Sequence, residues 1–203
     1  NPTMLSGDLN GDDGPDFTNY TENSYHVFYH SMEMTALDES AILDGFTITV
    51  SYADGSVAYE TGGGMFNYMS SPTITNVVFM LNYANFGGGM FNDNGSEPVL
   101  TMITFSANLA GQGGGMANFF LSSPSLKEVV FNGNSATDGG GMYNYYHSSP
   151  ALTNVVFSGN TAGYAGGGMY NLEYSNPVLV NVTFAGNDAG MAVGMYNDDS
   201  DPI

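Results

Sequence analysis

The chain has 203 residues, of which 20 are Asp or Glu and only one, Lys127, is a base, so its formal net charge is −19. This charge excludes the basic surface that nucleic-acid binding needs to neutralise phosphates, and it disfavours binding to anionic lipid. The sequence has no cysteine for a disulfide and no apolar run of about 18 residues that would predict membrane insertion.

Composition and the first residue indicate a secreted protein. The chain is acidic, rich in Gly, Asn, Ser and Thr, and almost free of Lys, which favours an extracellular solenoid over a cytosolic enzyme. It begins at Asn1 with neither an initiator Met nor a signal peptide. We therefore expect a mature or excised segment of a longer precursor, secreted or at the cell surface.

Residues 1–61 contain strand-like runs but no visible repeat. The runs are residues 3–5, 25–29 and 41–50. In the last run Phe46, Ile48 and Val50 alternate with other residues, as in a half-buried strand. We interpret this region as irregular opening coils with an acidic loop between the first two runs.

The acidic loop carries the start of a calcium-binding pattern. Oxygen ligands at alternate positions, Asp8, Asn10 and Asp12, are typical of EF-hand and dockerin-type loops. The twelfth position of the pattern is Asn19, where a bidentate acid belongs. Glu22 or Asp16 could substitute for the acid missing at Asn19, and we take Asp8, Asn10, Asp12 and Asp16 as the candidate calcium ligands. The alternative is a solvated acidic loop without a metal.

Residues 62–203 are built from a repeat whose centre reads Gly-Gly-Gly-Met, then an aromatic residue, then Asn. Successive methionines are 25 to 27 residues apart, at Met65, Met90, Met116, Met142, Met169 and, in a degraded copy, Met195. A fixed period of this length is typical of a solenoid. Residues 1–61 and 62–203 are then two parts of one continuous domain.

Each repeat also contains a proline, with apolar residues at fixed distances after it. In the first repeat these are Ile74, Val77 and Phe79, and the uneven spacing predicts a bend near Asn76 between two short strands. A third strand covers Met-aromatic-Asn, with Met pointing inward and the aromatic residue outward. We predict an all-β, right-handed parallel β-helix of about 26 residues and three short strands per coil. Leucine-rich repeats and propeller blades have other consensus residues or periods.

Stacking of the coils at about 4.8 Å predicts columns of identical side chains. Asparagine amides in such a column can donate to and accept from one another inside the core. One asparagine ladder is expected at Asn67, Asn92, Asn118, Asn144, Asn171 and Asn197, and a second at Asn82, Asn108, Asn134, Asn160 and Asn187. Met65, Met90, Met116, Met142 and Met169 are expected to form one dry interior column.

The repeats resemble those of known surface proteins. The GGGM motif and the FxxN elements at 131–134, 157–160 and 184–187 resemble the repeats of chlamydial polymorphic outer-membrane proteins. Residues 148–162, SSPALTNVVFSGNTA, resemble more closely still the repeats of large bacterial cell-surface β-helix proteins, and residues 1–17 and 41–49 resemble the segments ahead of them. The resemblance covers essentially the whole chain and implies an adhesive or structural passenger segment, without a catalytic motif.

Enzymatic activity is not predicted. β-Helix lyases that resemble pectate lyases need a basic residue beside calcium-binding acids, whereas Lys127 falls in an outward column with no acid cluster at fixed spacing. His26, His30 and His147 lack partners for a catalytic triad or a zinc site. The triple glycines lack the Gly-Lys-Ser/Thr of a phosphate loop and are interpreted as structural.

The outward column after each Met is aromatic and has three possible roles. It holds Phe66, Phe91, Tyr143, Tyr170 and Tyr196, with Ala117 as the interruption. These rings would stack on one another across coils, pack against a partner, or stack on sugar rings.

The two ends of the chain suggest how copies would join. The segment Asn1, Pro2, Thr3, Met4, Leu5 resembles residues 176–180, and the chain ends at Pro202 and Ile203 of the corresponding turn. Open coil ends invite strand addition, and a head-to-tail contact generates an open filament. We expect a structural solenoid that self-associates head to tail, with calcium offsetting the acids at both ends. The alternatives are ends capped by missing parts of a longer chain and, for function, a glycan-binding or adhesin module.

Overall fold

The computed structural model describes residues 3–31, 33–56 and 59–203, which form one all-β parallel β-solenoid, as the sequence predicts. Corresponding residues of adjacent regular coils pair in register, for example Met90 with Met116. The strands in chain order are β1 (Thr3–Ser6), β2 (Phe28–His30), β3 (Ile42–Asp44), β4 (Phe46–Thr49), β5 (Tyr52–Ala53), β6 (Met65–Tyr68), β7 (Thr73–Thr75), β8 (Val78–Met80), β9 (Tyr83–Phe86), β10 (Met90–Asp93), β11 (Val99–Thr101), β12 (Thr104–Ser106), β13 (Leu109–Gln112), β14 (Met116–Phe119), β15 (Ser125–Lys127), β16 (Val130–Asn132), β17 (Ser135–Asp138), β18 (Met142–Tyr145), β19 (Ala151–Ser158), β20 (Thr161–Ala165), β21 (Met169–Leu172), β22 (Val178–Ala185), β23 (Asp188–Met191) and β24 (Met195–Asp198). Two three-residue 3-10 turns, Pro15–Phe17 and Tyr20–Glu22, lie in the acidic loop.

The strands form three parallel sheets that run along the solenoid. Sheet 1 has eleven strands and contains the two segments of each coil that flank the predicted bend, such as β7 and β8. Sheet 2 has seven strands, β2, β6, β10, β14, β18, β21 and β24, and carries the Met-aromatic-Asn motif. Sheet 3 has six strands, β5, β9, β13, β17, β20 and β23.

Sheet 3 is the part of the coil that the sequence pattern does not predict. Its strands occupy the short segment between the second asparagine ladder and the glycines, where the repeat has no apolar pattern that predicts a strand. The two strands that the pattern separates at Asn76 lie instead in one sheet, with a left-handed bend between them (Asn76 φ 52°). Each regular coil therefore has three sheets but four strand segments, two of which merge in β19 and β22.

The triple glycines make a corner that no larger residue fits. Gly139 has a φ of 62°, which favours glycine. A Cβ on Gly140 would lie 2.5 Å from the carbonyl oxygen of Thr161, and one on Gly141 would lie 2.5 Å from that of Gly168. The glycines therefore allow consecutive coils to approach closely where sheet 3 meets sheet 2.

The interior is filled by columns of identical apolar residues. The phenylalanine rings of sheet 1 stack with centroids 4.6 to 5.0 Å apart, at Phe79, Phe105, Phe131, Phe157 and Phe184. The methionine column packs against them and is at most 5% exposed, at Met65, Met90, Met116, Met142 and Met169. Burial of these columns supplies the main apolar stabilisation of each coil.

The first asparagine ladder runs through sheet 2. Each Nδ2 donates to the Oδ1 of the next coil at 2.7 to 2.9 Å, from Asn67 to Asn197. Because every bond points the same way along the axis, the ladder is polar. The two ends of the solenoid therefore differ chemically.

The second asparagine ladder also binds the backbone. Asn134 Nδ2 donates to Asn160 Oδ1 at 2.9 Å and to the Phe105 carbonyl at 3.0 Å. Its Oδ1 accepts from both the backbone N–H and the Nδ2 of Asn108. Each interior amide is thus satisfied by the coils on either side.

A serine ladder, which the sequence reasoning missed, follows the strands of sheet 2. Each backbone N–H donates to the hydroxyl of the next coil at 3.1 to 3.2 Å, from Ser70 to Ser200. The regular spacing of 25 to 27 residues between these serines is the feature of the sequence that could have predicted the ladder. Its members are Ser70, Ser96, Ser122, Ser148, Ser175 and Ser200.

The N-terminal region continues the solenoid, because β2 to β5 pair with β6 to β9 of the first regular coil. The expected register of its first strand is wrong. Residues 3–5 were matched to 178–180, but β1 pairs with β4, so Leu5 opposes Ile48 in the phenylalanine column of sheet 1. Sequence similarity in so short a segment does not determine which half of the bend it occupies.

Candidate functional site

The acidic loop brings four carboxylates together, and we call them the acidic cluster. One ligand oxygen from each lies within 4.8 Å of the others, in Asp8, Asp12, Asp13 and Glu22. The loop folds back on itself, since Gly14 N–H donates to the Thr18 carbonyl at 3.0 Å, and this brings Glu22 to the cluster.

The acidic cluster differs from the predicted ligand set in two members. Asp16 is exposed in the first 3-10 turn and is not among the four grouped carboxylates. Asn10 contributes its backbone N–H to Asp8 Oδ1 at 3.1 Å, beside a second bond from Gly11 at 2.6 Å. Asp13, which the pattern does not predict, takes a place in the cluster, as does Glu22.

Three buried oxygens at the acidic cluster have no hydrogen-bond donor within the described residues: Asp13 Oδ1, Glu22 Oε1 and Asn23 Oδ1. Asn23 is only 7% exposed, and its Nδ2 donates to Asp13 Oδ2 and to the Val50 carbonyl, each at 2.8 Å. Burial raises the pKa of Asp13, and the charges of Asp8 and Asp12 raise it further, whereas the hydrogen bond from Asn23 lowers it. The site therefore lacks positive charge.

The outward aromatic column of sheet 2 is not an exposed stripe. Its residues are at most 9% exposed in a second apolar cluster, at Phe66, Phe91, Ala117, Tyr143 and Tyr170. Across the glycine corner, Phe86 at the end of β9 lies 6.3 Å from the ring of Phe91, and Phe119 lies 5.0 Å from it. The corner thus places the column between the two sheets, where neighbouring rings cover it.

A cavity of about 660 Å³ opens over this column, and we call it the aromatic groove. It is lined by Tyr29, Ser31, Glu33, Tyr59, Glu60, Thr61, Phe66, Tyr68, Phe86, Phe91, Asp93, Phe119 and Phe120. Asp93 has a buried Oδ1 without a hydrogen-bond donor among the described residues. Burial raises the pKa of Asp93 to about 6, although the hydrogen bond from the Asn94 backbone lowers it in part.

A second acid lies beside a neighbouring cavity of about 490 Å³. Burial raises the pKa of Asp138, and hydrogen bonds from the Gln112 side chain and the Ala165 backbone oppose this rise. The sequence pattern predicts neither Asp93 in the aromatic groove nor Asp138 beside the neighbouring cavity. The signal for Asp93 is a carboxylate in a column that holds Tyr68, Phe119, Tyr145 and Leu172 and becomes acidic again only at Asp198 of the last coil.

The turns after sheet 2 carry exposed aromatic residues in a costly backbone conformation. Phe120, Tyr146 and Tyr174, which we call the aromatic ridge, are 43%, 42% and 58% exposed, with φ of 47°, 52° and 61°. In the preceding coil the same turn is Asn94–Gly95, the residue types that accept this conformation most readily. Bulky residues there cost about 1 kcal/mol or more each, and such strain often marks a functional surface.

Two of the three histidines, His26 and His30, serve the packing of the first coils, and the third, His147, stacks on Tyr174 with ring centroids 5.2 Å apart. His26 Nδ1 lies 3.1 Å from the Gly62 carbonyl, and burial lowers its pKa against the hydrogen bonds to the backbone. His30 is in register with Asn67 at the start of the first ladder, and its Nδ1 lies 2.8 Å from Ser70 Oγ. Lys127 is exposed and lies 3.9 Å from Glu128.

The last coil exposes part of its apolar interior. Its core residues Leu179, Val182, Phe184 and Met195 are only partly buried, whereas their counterparts one coil earlier are at most 1% exposed. Ile203 begins another turn, since its N–H donates to the Pro177 carbonyl and its carbonyl accepts from Leu179 N–H.

At the opposite end an apolar cavity of about 220 Å³ lies between β2, β3 and the first regular coil. Asn1 and Pro2, expected at the assembly interface, lie outside the described residues.

Comparison of the chain with family models, curated proteins and solved structures finds no match. In the described part of the chain, no helix is long and apolar enough to cross a membrane.

Proposed function

We propose that the chain is a structural segment of a secreted or cell-surface solenoid protein, and that copies join head to tail. The observation that supports the proposal is the partly exposed apolar interior of the last coil, which a second copy or a further coil of a longer chain would bury. Strands β22, β23 and β24 end their sheets. Apart from the contact of Leu179 with Ile203, no described strand lies beyond them, and such open edges invite strand addition. The resemblance of the repeats to bacterial cell-surface β-helix proteins supports the extracellular location.

The polarity of the first asparagine ladder favours a head-to-tail contact over a head-to-head one. Asn197 accepts from Asn171 at 2.7 Å, and its exposed Nδ2 has no acceptor within the described residues. This end therefore offers a donor and an apolar surface, while the other end offers an apolar cavity. Such a contact does not close on itself and generates an open filament.

Replacement of Leu179 by Glu tests this contact. Leu179 is partly buried and faces the interior of the last coil, so a charge there should block the next copy and leave single particles. Val180→Glu is the matched control, because Val180 is the next residue, is 53% exposed and faces outward. Sedimentation velocity and negative-stain microscopy, with and without calcium, measure the length of the particles.

We expect concentration-dependent rods from the unmodified chain and from Val180→Glu, and single particles from Leu179→Glu. Added calcium should lengthen the rods, because acids lie near both ends. Single particles of the unmodified chain at high concentration with calcium, or equal effects of the two substitutions, would contradict head-to-tail assembly.

The strained aromatic ridge favours glycan binding as a second function. Exposed aromatic side chains suit stacking on sugar rings, and the oxygens of the adjacent groove, including Asp93, suit hydrogen bonds to hydroxyl groups. The net charge of −19 disfavours acidic polysaccharides. We therefore propose a neutral glycan that lies across successive coils of the ridge.

Tyr146→Asn separates binding from stability. Asparagine accepts the left-handed backbone, so the variant should be as stable as the unmodified chain or up to about 1 kcal/mol more stable, yet should bind at least tenfold more weakly. Tyr164→Asn, at a 50% exposed tyrosine outside the ridge, is the control. A neutral-glycan array followed by calorimetry measures binding. Lack of any glycan ligand, or equal loss in both variants, would refute this function.

A further inference from the structure

We propose that the acidic cluster binds one calcium ion, with Asn23 Oδ1 as an additional neutral ligand. The predicted spacing of ligands in the loop does not carry this proposal, because Asp16 lies outside the cluster. It rests instead on which oxygens the folded loop buries together, and on the absence of hydrogen-bond donors for them among residues 3–31, 33–56 and 59–203.

The buried oxygens at the cluster indicate a ligand that carries positive charge. Folded proteins satisfy nearly all buried polar atoms, so three donor-free oxygens in one place need an explanation. Asn23 is the decisive residue. Although it is only 7% exposed and its Nδ2 donates to Asp13 and Val50, its Oδ1 is buried and has no donor in the part of the chain that the structure describes.

Within the described residues, no lysine or arginine side chain pairs with the acidic cluster. The one base of the chain, Lys127, is 3.9 Å from Glu128 on sheet 1, and the sequence contains no arginine. Four carboxylates within 4.8 Å repel one another unless a cation lies between them.

The donor set fits calcium better than magnesium or a transition metal. All ligands are oxygens, without the imidazole or thiolate that zinc and copper favour. Calcium accepts six to eight oxygens in flexible geometry, whereas magnesium requires a near-ideal octahedron and keeps several waters. Carboxylates from an irregular loop match the flexible geometry that calcium accepts.

A bound ion would fasten the loop to the start of the solenoid. The rings of Phe17 and Tyr83 are 6.2 Å apart, and those of Tyr20 and Tyr52 are 6.0 Å apart, so the loop already packs near sheet 3. Asn23 connects the cluster to the backbone at Val50. Calcium should therefore stabilise the first coils against unfolding.

Calorimetric titration of the EDTA-treated chain with CaCl2, and separately with MgCl2, tests the proposal. We expect one calcium site per chain, at least tenfold weaker binding of magnesium, and a calcium-dependent rise in Tm. Glu22→Gln and Asp12→Asn should each weaken calcium binding at least tenfold. Since Asp12 is exposed, its substitution leaves packing intact even if Glu22→Gln does not fold.

Asp16→Asn is the matched control, because it removes one acid from the same loop but outside the cluster, and it should bind calcium as the unmodified chain does. In EDTA, Asp12→Asn should be no less stable than the unmodified chain, since it relieves repulsion. Neither heat nor a Tm shift with millimolar calcium, equal binding of magnesium, or equal weakening by Asp16→Asn would overturn the calcium site.

Discussion

Replacement of Met142 by Asp is expected to prevent stable folding of the chain. Met142 is fully buried in the core, between Met116 and Met169 of the adjacent coils. A carboxylate there has no hydrogen-bond donor in the methionine column and no access to water. An unpaired buried charge costs at least about 4 kcal/mol, a large part of the 5 to 15 kcal/mol that stabilises a typical domain.

Met142→Leu is the control at the same site, because it conserves volume and should cost less than about 1.5 kcal/mol. Denaturant unfolding followed by circular dichroism gives the free energy of unfolding of both variants. The expected order is the unmodified chain, then Met142→Leu, then Met142→Asp, with the last largely unfolded in water. A Met142→Asp protein within 1 kcal/mol of the unmodified chain would show that this column is not a dry core.

The sequence was sufficient to predict the architecture because the stacking of coils imposes a period on every buried column. Met, Phe and Asn recur at nearly constant spacing, and each of these columns lies inside the solenoid. A residue whose neighbours along the axis are copies of itself has nearly the same environment in each coil. Periodicity therefore identifies interior positions without knowledge of the tertiary contacts.

The strands of sheet 3 could not be predicted in this way. The segments 83–86 and 135–138 are YANF and SATD, which share only a buried alanine. Their pairing is imposed by the flanking asparagines and glycines, which fix both ends of the segment. Tertiary context therefore overrides a weak local preference.

Which side chains are exposed or brought together at the surface depends on the angles between sheets, and the period of the sequence does not determine these angles. The aromatic column lies outside the interior core, as expected, but Phe86 across the glycine corner and Phe119 of the same sheet cover it. The acidic cluster likewise depends on the two 3-10 turns, which bring Glu22 to Asp8 and leave Asp16 outside. Neither arrangement has a signal in residue spacing alone.

The second large effect is expected for Asn134→Ala, which breaks the second asparagine ladder at its centre. The substitution removes Asn134 Oδ1, which accepts from the backbone N–H and the Nδ2 of Asn108. It also removes Asn134 Nδ2, which donates to the Phe105 carbonyl and to Asn160 Oδ1. At least two buried groups, Asn108 N–H and the Phe105 carbonyl, then lose a partner. Each unsatisfied group costs about 1 to 3 kcal/mol, so we expect a loss of about 4 kcal/mol.

The exposed Asn132, two residues earlier in the same coil, provides the comparison. Its Oδ1 accepts only from Ser158 Oγ at the surface, at 3.0 Å, so Asn132→Ala should change stability by no more than about 0.5 kcal/mol. The difference in free energy of unfolding between Asn134→Ala and Asn132→Ala tests most directly whether buried amide ladders hold the coils together. We predict that Asn134→Ala is less stable by at least about 3 kcal/mol, and equal stability of the two variants would contradict the ladder account.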